Sequence, residues 1–184
     1  MAAVDPRLDL ISKSIRVVPD FPKAGIQFQD VTTILLNPEA FQATTDLLVE
    51  HYRDQHIDVV AGFEARGLIF GAPLALALKV PFVPLRKPGK LPGTRSATVS
   101  VEYKTEYSVD KIEMHIGAVK EGQRVLLVDD LIATGGTLVA GAELVRKVGA
   151  IPVEAACVIE LPELEGRSKL DGLPLFVLVE KAGI

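Results

Sequence analysis

Alternation of short apolar runs with amphipathic stretches constrains the fold of this chain more than any other feature. Apolar runs that predict β-strands begin at Ile57, Val80, Arg124, Pro152 and Leu175, and helical spacing between them fits residues 39–54, 68–78 and 136–148. Strands that alternate with helices form a parallel sheet covered by helices. The predicted fold class is therefore α/β, with a central, mostly parallel sheet flanked by helices.

Two regions interrupt this alternation. Residues 1–35 hold a helix candidate at 6–16 and then the turn-rich segment DFPKAGIQFQD, which predicts a small N-terminal hood rather than a core strand. Residues 86–107 combine basic residues with prolines and glycines before the alternating TVSVEY, which predicts a flexible loop leading into a β-hairpin. We expect a hood at 1–35 and a core at 36–184 within one structural domain.

Composition excludes several classes of function. The 184 residues carry a formal net charge of −4, so the chain lacks the basic field that drives non-specific binding to nucleic acid or anionic lipid. No stretch approaches the roughly 20 apolar residues that span a bilayer, and the charged N-terminal segment does not resemble a signal peptide. The single cysteine, Cys157, lies in an apolar run and predicts a buried structural thiol. We expect a cytoplasmic protein that binds no nucleic acid and no membrane.

The segment VLLVDDLIATGGT, residues 125–137, predicts an anion site. Its apolar run is typical of a buried strand, and LVAGAELVRKVG after the small residues has helical spacing. A joint of strand, loop and helix points backbone N–H groups and the positive end of a helix dipole at one place. Neither GxxxxGK followed by Ser or Thr nor GxGxxG occurs here, so the segment is neither a P-loop nor a dinucleotide-binding motif.

Asp129 and Asp130 stand directly before this loop, where carboxylates alone would repel a phosphate. Carboxylates accept hydrogen bonds from hydroxyl groups, and a bridging Mg²⁺ converts the repulsion into attachment. The pair and the loop together predict a ribose 5-phosphate as ligand. Mg²⁺ would be bound mainly through the substrate, with Asp129 as the candidate protein ligand. The alternative is that both aspartates cap a helix and face solvent.

The same segment resembles the phosphoribosyl pyrophosphate signature of the type I phosphoribosyltransferases. FPKAGIQFQD, AGFEARGLIFG, RKPGKLPG and VEYKTEY follow in the order and approximate spacing of the adenine phosphoribosyltransferases of that family, so the resemblance covers nearly the whole chain. It implies the type I phosphoribosyltransferase fold, a hood and a flexible catalytic loop. It also implies transfer of the phosphoribosyl group from phosphoribosyl pyrophosphate to adenine, which gives AMP and pyrophosphate, with Mg²⁺ as cofactor and a homodimer as the assembly.

The resemblance implies two anion sites. The loop that would hold the 5-phosphate consists of Ala133, Thr134, Gly135, Gly136 and Thr137, beside Asp129 and Asp130, which would face the ribose hydroxyls. For pyrophosphate, the peptide bond between Glu64 and Ala65 is often cis in relatives and would aim an N–H at the ligand, while Arg66 would add charge near the reaction centre. The alternative for Arg66 is a surface salt bridge.

Basic residues before the flexible loop resemble the family's pyrophosphate-binding basics. They are Arg86, Lys87 and Lys90, and the resemblance implies that Arg86 reaches into the neighbouring subunit of the dimer. Pro88 stands where the family often has a further basic residue. Basic residues on a loop are usually only solvated, but three of them within five residues favour a binding role.

The resemblance places a catalytic residue on the loop. Glu102 in SVEYKTEY matches the glutamate that closes over the site and interacts with the purine, and Tyr103 would pack the closed lid. The alternative is that Glu102 is an exposed strand residue. Glu106, four positions further on, is the competitor for the same role.

The resemblance also implies how the base is bound. Adenine would stack between Phe28 and Leu161, and the backbone of Gln27 and Gln29 would hydrogen-bond to the purine edge; the alternative for Phe28 and Leu161 is plain core. Many relatives carry an aliphatic residue and an arginine in place of the two glutamines, which leaves the backbone contacts possible. Enzymes of this fold that use 6-oxopurines commonly carry an aspartate in the phosphate loop, where this chain has Ala133.

Two other functions are consistent with this fold. One is a regulatory protein that senses a purine or a sugar phosphate, which would predict an added DNA-binding segment or a decayed loop, whereas the acidic pair, the loop and Glu102 are all present here. The other is a phosphoribosyltransferase that uses a different base, such as orotate or xanthine.

Overall fold

The computed structural model describes residues 5–93, 98–104 and 109–183, which form four α-helices and nine strands. In chain order these are α1 (Pro6–Ser14), β1 (Arg16–Pro19), β2 (Gln27–Asp30), α2 (Pro38–Tyr52), β3 (Val59–Phe63), α3 (Arg66–Leu78), β4 (Phe82–Leu85), β5 (Thr98–Lys104), β6 (Val109–His115), β7 (Arg124–Ile132), α4 (Gly136–Lys147), β8 (Ile151–Glu160) and β9 (Leu175–Glu180). Short 3₁₀ helices cover Val31–Leu36, Pro162–Leu164 and Gly166–Lys169.

The central sheet contains five strands in the order β4-β3-β7-β8-β9, and every neighbouring pair is parallel. These are the strands that the apolar runs predict, so the predicted α/β fold class is confirmed. The strands read as continuous apolar runs because both faces of a parallel sheet are covered by other elements. In β3, for example, all five residues are buried.

Each face of the sheet packs against a different set of elements. Val60, Leu126 and Val158 point to the face covered by α1, α2 and α3, and they share one apolar cluster with Phe70 and Leu74 of α3. The neighbouring side chains along the same strands point to the opposite face, which is covered by α4 and by the hairpin of β5 and β6. Cys157 lies on this second face and is buried, as predicted.

Parallel topology brings the ends of several strands to one edge of the sheet. β3, β4, β7 and β8 all end at this carboxyl edge, where Glu64, Arg86, Asp130 and Leu161 lie at or just beyond the strand ends. Ligands of open α/β sheets bind outside the carboxyl ends of the strands. The topology therefore gathers residues far apart in the sequence at one candidate site.

The hood segment forms a small sheet of its own. β1 and β2 pair antiparallel, with Arg16 opposite Asp30, and neither strand joins the central sheet. The predicted helix at 6–16 ends earlier, at Ser14, because Ile15 is extended and Arg16 already begins β1. The division into a hood at 1–35 and a core at 36–184 stays a prediction.

The second interrupted region contains the predicted hairpin. β5 and β6 pair antiparallel from Thr98 opposite His115 to Lys104 opposite Val109. Residues 94–97 and 105–107 of the predicted loop lie outside the described residues, and so does the competing acid Glu106. None of the helices in the described ranges has the length and apolar character needed to cross a membrane.

Candidate active site

Two cavities lie side by side at the carboxyl edge of the sheet. The polar cavity, about 590 Å³, is lined by Glu64, Ala65, Arg66, Lys87, Tyr103, Asp110 and residues 129–138. The apolar cavity, about 460 Å³, is lined by residues 24–29, Arg66, Asp130, Leu131, Leu161, Leu164 and Gly183. Arg66, Asp130 and Leu131 line both cavities, so the two meet at these residues.

The loop after β7 wraps around one end of the polar cavity. Residues 133–137 all line it, and α4 begins at Gly136 directly after this turn. Gly135 has a φ of 81°, a left-handed conformation that favours glycine. The first N–H groups of a helix have no partner within the helix, so the start of α4 presents free donors and a positive dipole to the cavity.

A second helix begins at the same cavity. α3 starts at Arg66, directly after the cis peptide bond between Glu64 and Ala65. No side chain of the described residues caps the start of α3 or α4, whereas Asp5 caps α1 and Asn37 caps α2. Uncapped helix N-termini that face one cavity are anion sites. The two free N-termini therefore support binding of two negatively charged groups.

The acidic pair lies between these two helix starts. Asp129 and Asp130 are 9% and 5% exposed. Arg66 donates from Nε to Oδ2 of Asp130 at 2.5 Å. Gly67 allows the start of α3 to lie close to β7, because a Cβ at Gly67 would lie 2.5 Å from the carbonyl oxygen of Val128.

The surroundings of the acidic pair shift the pKa values of Asp129 and Arg66. Burial and the neighbouring Asp130 raise the pKa of Asp129 well above its usual range. Burial lowers the pKa of the Arg66 guanidinium, but the nearby carboxylates, Asp130 before Asp129 and Asp30, together outweigh that effect and raise the pKa. A buried carboxyl with a raised pKa in a cleft is typical of a functional site. Asp129 and Asp130 are therefore not solvent-facing helix caps.

The basic residues after β4 are arranged around Glu64. Arg86 donates from Nε to Oε2 of Glu64 at 2.8 Å, and the backbone N–H of Lys87 donates to the same oxygen at 2.9 Å. The hydrogen bond from Arg86 lowers the pKa of Glu64. Lys87 lines the polar cavity, whereas Arg86 and Lys90 line neither cavity. The predicted pyrophosphate role of Arg86 and Lys90 stays a prediction.

The hairpin brings one of the two predicted lid residues to the polar cavity. Tyr103 lines the cavity, where burial raises its pKa and a hydrogen bond with Thr137 partly offsets that rise. Glu102 is exposed on β5 opposite Lys111, and it lines neither cavity. Contact between Glu102 and a bound base would need movement of the hairpin, so its catalytic role stays a prediction.

The apolar cavity contains all four residues predicted to bind the base. Gln27, Phe28, Gln29 and Leu161 line its wall. The ring of Phe28 packs edge-on against Phe21 with 5.1 Å between the ring centroids. The backbone N–H of Gln27 donates to the carbonyl oxygen of Gly183 at 2.9 Å, so a donor to the base has to come from another residue of this segment.

Several residues around the two cavities are not predicted from the sequence. They are Asp110, Leu164, Gly166 and Gly183. Gly166 packs under the phosphate loop, since a Cβ at Gly135 would lie 2.6 Å from the carbonyl oxygen of Gly166. Arg167 holds this segment through hydrogen bonds to both carboxylate oxygens of Glu160. Asp110 belongs to β6, Leu164 and Gly166 belong to short 3₁₀ helices, and Gly183 follows β9. None of them is part of a sequence motif, so only tertiary packing identifies them.

The described residues do not provide a complete set of protein ligands for Mg²⁺. No group of three or more His, Cys, Asp or Glu side chains with metal-binding geometry occurs within residues 5–93, 98–104 and 109–183. The carboxylates of Asp129 and Asp130 nevertheless line the polar cavity, and oxygen ligands suit this hard cation. Mg²⁺ often binds through one or two carboxylates together with substrate phosphates, and the donor set of the polar cavity fits that mode.

Most of the chain matches one known protein family. Residues 30–177 match the family described as phosphoribosyl transferase domain. The chain belongs to the phosphoribosyltransferase family. Among curated members, Adenine phosphoribosyltransferase 1 of Triticum aestivum is 62% identical over 178 residues, which cover 97% of each chain.

Solved structures of the family have the same fold. Adenine phosphoribosyltransferase of Thermoanaerobacter pseudethanolicus matches with a TM-score of 0.89 and 48% identity, covering 95% of this chain and 99% of that chain. The Saccharomyces cerevisiae enzyme, complexed with adenine and an imino-altritol bisphosphate, matches with a TM-score of 0.88 and 40% identity, covering 96% and 100% of the two chains. The predicted type I phosphoribosyltransferase fold is confirmed, and so is the predicted enzyme class, adenine phosphoribosyltransferase.

Proposed function

We propose that this enzyme transfers the phosphoribosyl group of phosphoribosyl pyrophosphate to adenine, giving AMP and pyrophosphate in purine salvage. The observation that carries the proposal is the junction at Arg66, Asp130 and Leu131, where a polar cavity with two free helix N-termini meets an apolar cavity. We infer that the ribose with its 5-phosphate and pyrophosphate occupies the polar cavity and that the flat base occupies the apolar cavity, so that the reacting atoms would meet at the junction.

In this proposal the sugar phosphate lies in the polar cavity. The N–H groups of residues 133–137 and the dipole of α4 bind the 5-phosphate. Asp129 and Asp130 accept hydrogen bonds from the ribose hydroxyls. Arg66 holds Asp130 in place through its Nε, which fixes one acceptor beside the junction.

Pyrophosphate binds at the start of α3. Ala65, Arg66 and Lys87 line this part of the polar cavity, where α3 begins. In the proposal the N–H of Ala65, the helix dipole and the two positive charges bind the pyrophosphate. Asp129, together with oxygen atoms of the substrate, would hold Mg²⁺, and the bound ion would neutralise negative charge on the pyrophosphate leaving group. Arg86 and Lys90 strengthen the positive field from outside, and Arg86 also orients Glu64.

The reaction is a displacement at C1 of the ribose. The bond from C1 to the pyrophosphate oxygen breaks, the bond from C1 to a ring nitrogen of the base forms, and the proton on that nitrogen is released. The transition state has oxocarbenium character, as in glycoside cleavage, and water must be excluded while it exists. Glu102 and Tyr103 on the hairpin are the residues we propose to close over the junction, with Glu102 contacting the purine.

The apolar cavity selects the base. Adenine lies between Phe28 and Leu161, and one backbone C=O and one backbone N–H of residues 27–29 face its 6-amino group and N1. A 6-oxopurine presents the opposite donor and acceptor at these positions, which leaves buried polar groups unpaired. Ala133 in the phosphate loop offers no carboxylate to a 6-oxopurine. A different base, or a purely regulatory role, has no comparable structural support.

We also propose a homodimer, which is supported by the outer face of α3. Ile69, Ala72 and Leu76 are exposed on one side of this helix, and Leu76 is 81% exposed. A contiguous exposed apolar stripe is typical of a protein–protein interface. Sedimentation equilibrium should give the mass of two chains, and a monomer at micromolar concentration would contradict the proposal.

We also propose that the protein is cytoplasmic. Fluorescence microscopy of the tagged protein in cells tests this location.

A product assay tests the proposed function. The protein is incubated with phosphoribosyl pyrophosphate, Mg²⁺ and adenine, and AMP and pyrophosphate are measured by chromatography. We expect equal amounts of both products, formed only when all three components are present. Orotate and xanthine in place of adenine serve as controls. AMP formation no faster than in the absence of the protein, or nucleotide formation from orotate or xanthine but not from adenine, would contradict the proposal.

A further inference from the structure

The segment that follows β9, residues 181–183, reaches the apolar cavity at its last residue. Gly183 lines the wall beside Leu161 and Leu164. Its carbonyl oxygen accepts a hydrogen bond from the N–H of Gln27 at 2.9 Å, and its own N–H donates to the carboxylate of Glu163. Residues 181–183 therefore connect the hood side of the cavity to the side that follows β8.

Gln29 strengthens the same connection through its side chain. The residue is 6% exposed, and its Nε2 donates to the carbonyl oxygens of Ala182 at 2.7 Å and of Gln27 at 3.2 Å. Both partners are acceptors, so only the NH₂ end of the amide fits there. Oε1 is buried, and no donor of the described residues reaches it. Gln29 thus cross-links two separate segments of the cavity wall.

These contacts determine which backbone groups are left for a base. The N–H of Gln27 is occupied by Gly183, and the carbonyl oxygen of Gln27 is held in place by Gln29 Nε2. A backbone edge discriminates between bases only if its donors and acceptors keep fixed positions, because a misplaced group leaves a buried polar atom unpaired.

Gly183 also limits the width of the cavity. A Cβ at Gly183 would lie 2.7 Å from Cδ1 of Leu161 and 3.1 Å from Oε1 of Glu163. Its backbone is not in the left-handed region, so alanine fits the conformation and the collision is purely steric. Relief of the collision requires the side chain of Leu161, which lines the apolar cavity, to shift.

We propose that Gln29 and Gly183 determine how the base is bound: Gln29 is a positioning residue that fixes the backbone edge of residues 27–29, and Gly183 sets the distance available to Leu161. This inference rests on the proposed function. It adds a segment that is remote from the hood in sequence to the wall that determines base specificity.

Steady-state kinetics of Gln29 variants test the positioning role. Gln29→Met keeps the length of the side chain but donates no hydrogen bond, and we expect KM for adenine to rise about tenfold, while kcat and KM for phosphoribosyl pyrophosphate change less than about twofold. Gln29→Glu should be worse than Gln29→Met, because a carboxylate oxygen would face two carbonyl oxygens. Lys181→Met is the matched control, since Lys181 binds the same segment to Ser12 outside the cavity and should leave KM for adenine unchanged.

A double-mutant cycle tests the steric role. Gly183→Ala should raise KM for adenine about tenfold, and Leu161→Val in the same chain should recover part of that loss because valine has no Cδ atom to collide. Strictly multiplicative effects would overturn the role of Gly183, and Gln29 variants that behave like Lys181→Met would overturn the role of Gln29. A wild-type protein that forms no AMP refutes the proposed function itself, which separates the two failures.

Discussion

The polar and the apolar cavity are assembled in opposite ways. The polar cavity takes ten consecutive residues, 129–138, from one joint of strand, loop and helix, and its donors are mostly backbone N–H groups. The apolar cavity takes its wall from residues 24–29, from Leu161 and Leu164, and from Gly183. In the proposed function, recognition of the sugar phosphate is therefore local and electrostatic, whereas recognition of the base depends on tertiary packing.

The largest effect is expected in the polar cavity. Replacing both aspartates, Asp129→Asn with Asp130→Asn, should lower kcat/KM for phosphoribosyl pyrophosphate about a thousandfold, since each hydrogen bond to a charged group contributes about 1.5–3 kcal/mol. The fold should be retained, because the substitution removes two buried like charges. Enzyme kinetics and thermal unfolding measure the two effects. Asp46→Asn, at a half-buried acid of α2 that lines neither cavity, is the control. Wild-type kinetics of the double variant would refute the assigned role of the pair.

The next effect concerns a residue that lines neither cavity. Glu102→Leu should lower kcat about a hundredfold, because the proposed contact with the purine, whose ring nitrogen loses a proton in the reaction, is removed. The melting temperature should change little because the side chain is exposed. Lys111→Met, on the opposite strand of the hairpin, is the control for general damage to β5 and β6. If Glu106→Leu lost the activity and Glu102→Leu kept it, the assignment to Glu102 would be wrong.

A smaller effect is expected in the apolar cavity. Phe28→Ala should raise KM for adenine about tenfold, since stacking of a base on an aromatic ring contributes about 1–3 kcal/mol, and KM for phosphoribosyl pyrophosphate should stay unchanged. Phe21→Ala is the control, because Phe21 contacts Phe28 but does not line the cavity. Equal changes in the KM for adenine and the KM for phosphoribosyl pyrophosphate would show that the two substrates are not bound in separate cavities.

The smallest expected effect is on the free energy of unfolding, which should depend on pH through Asp129 in the polar cavity but not through Phe28 in the apolar cavity. Burial and Asp130 raise the pKa of Asp129, so its contribution to folding is present below the unfolded pKa, near 3.9, and is lost as the pH rises through the folded pKa. The free energy of unfolding of the wild type should therefore fall relative to that of Asp129→Asn as the pH increases from about 4. Urea unfolding at several pH values measures this difference. For Phe28→Ala the difference from wild type should be the same at every pH.

The contrast between the cavities also explains what the sequence could predict. Residues 125–137 form a contiguous pattern, so the anion loop and the acidic pair follow from spacing and from the chemistry of carboxylates. The strands follow from apolar runs because both faces of the sheet are buried. Phe28 and Leu161 required a resemblance to a known family, since nothing local distinguishes them from core residues.

Other features depend on contacts between distant segments. Gly166 lies under the phosphate loop, and Gly183 lies beside Leu161, yet neither belongs to a sequence motif. The helix at 6–16 ends at Ser14 because Arg16 pairs with Asp30 in the hood. Such endings and close approaches are decided by packing across the chain, which a single sequence does not reveal.

Base selectivity tests the central claim most directly, because it depends on the apolar cavity while the sugar phosphate is the same in every reaction. With Mg²⁺ and phosphoribosyl pyrophosphate held constant, kcat/KM is measured for adenine, hypoxanthine and guanine by the rate of nucleotide formation. A site built on hydrogen bonds to the purine edge rejects the wrong partner by roughly 10⁴-fold, so adenine should exceed both 6-oxopurines by about that factor. Comparable values of kcat/KM for adenine and hypoxanthine would contradict the account.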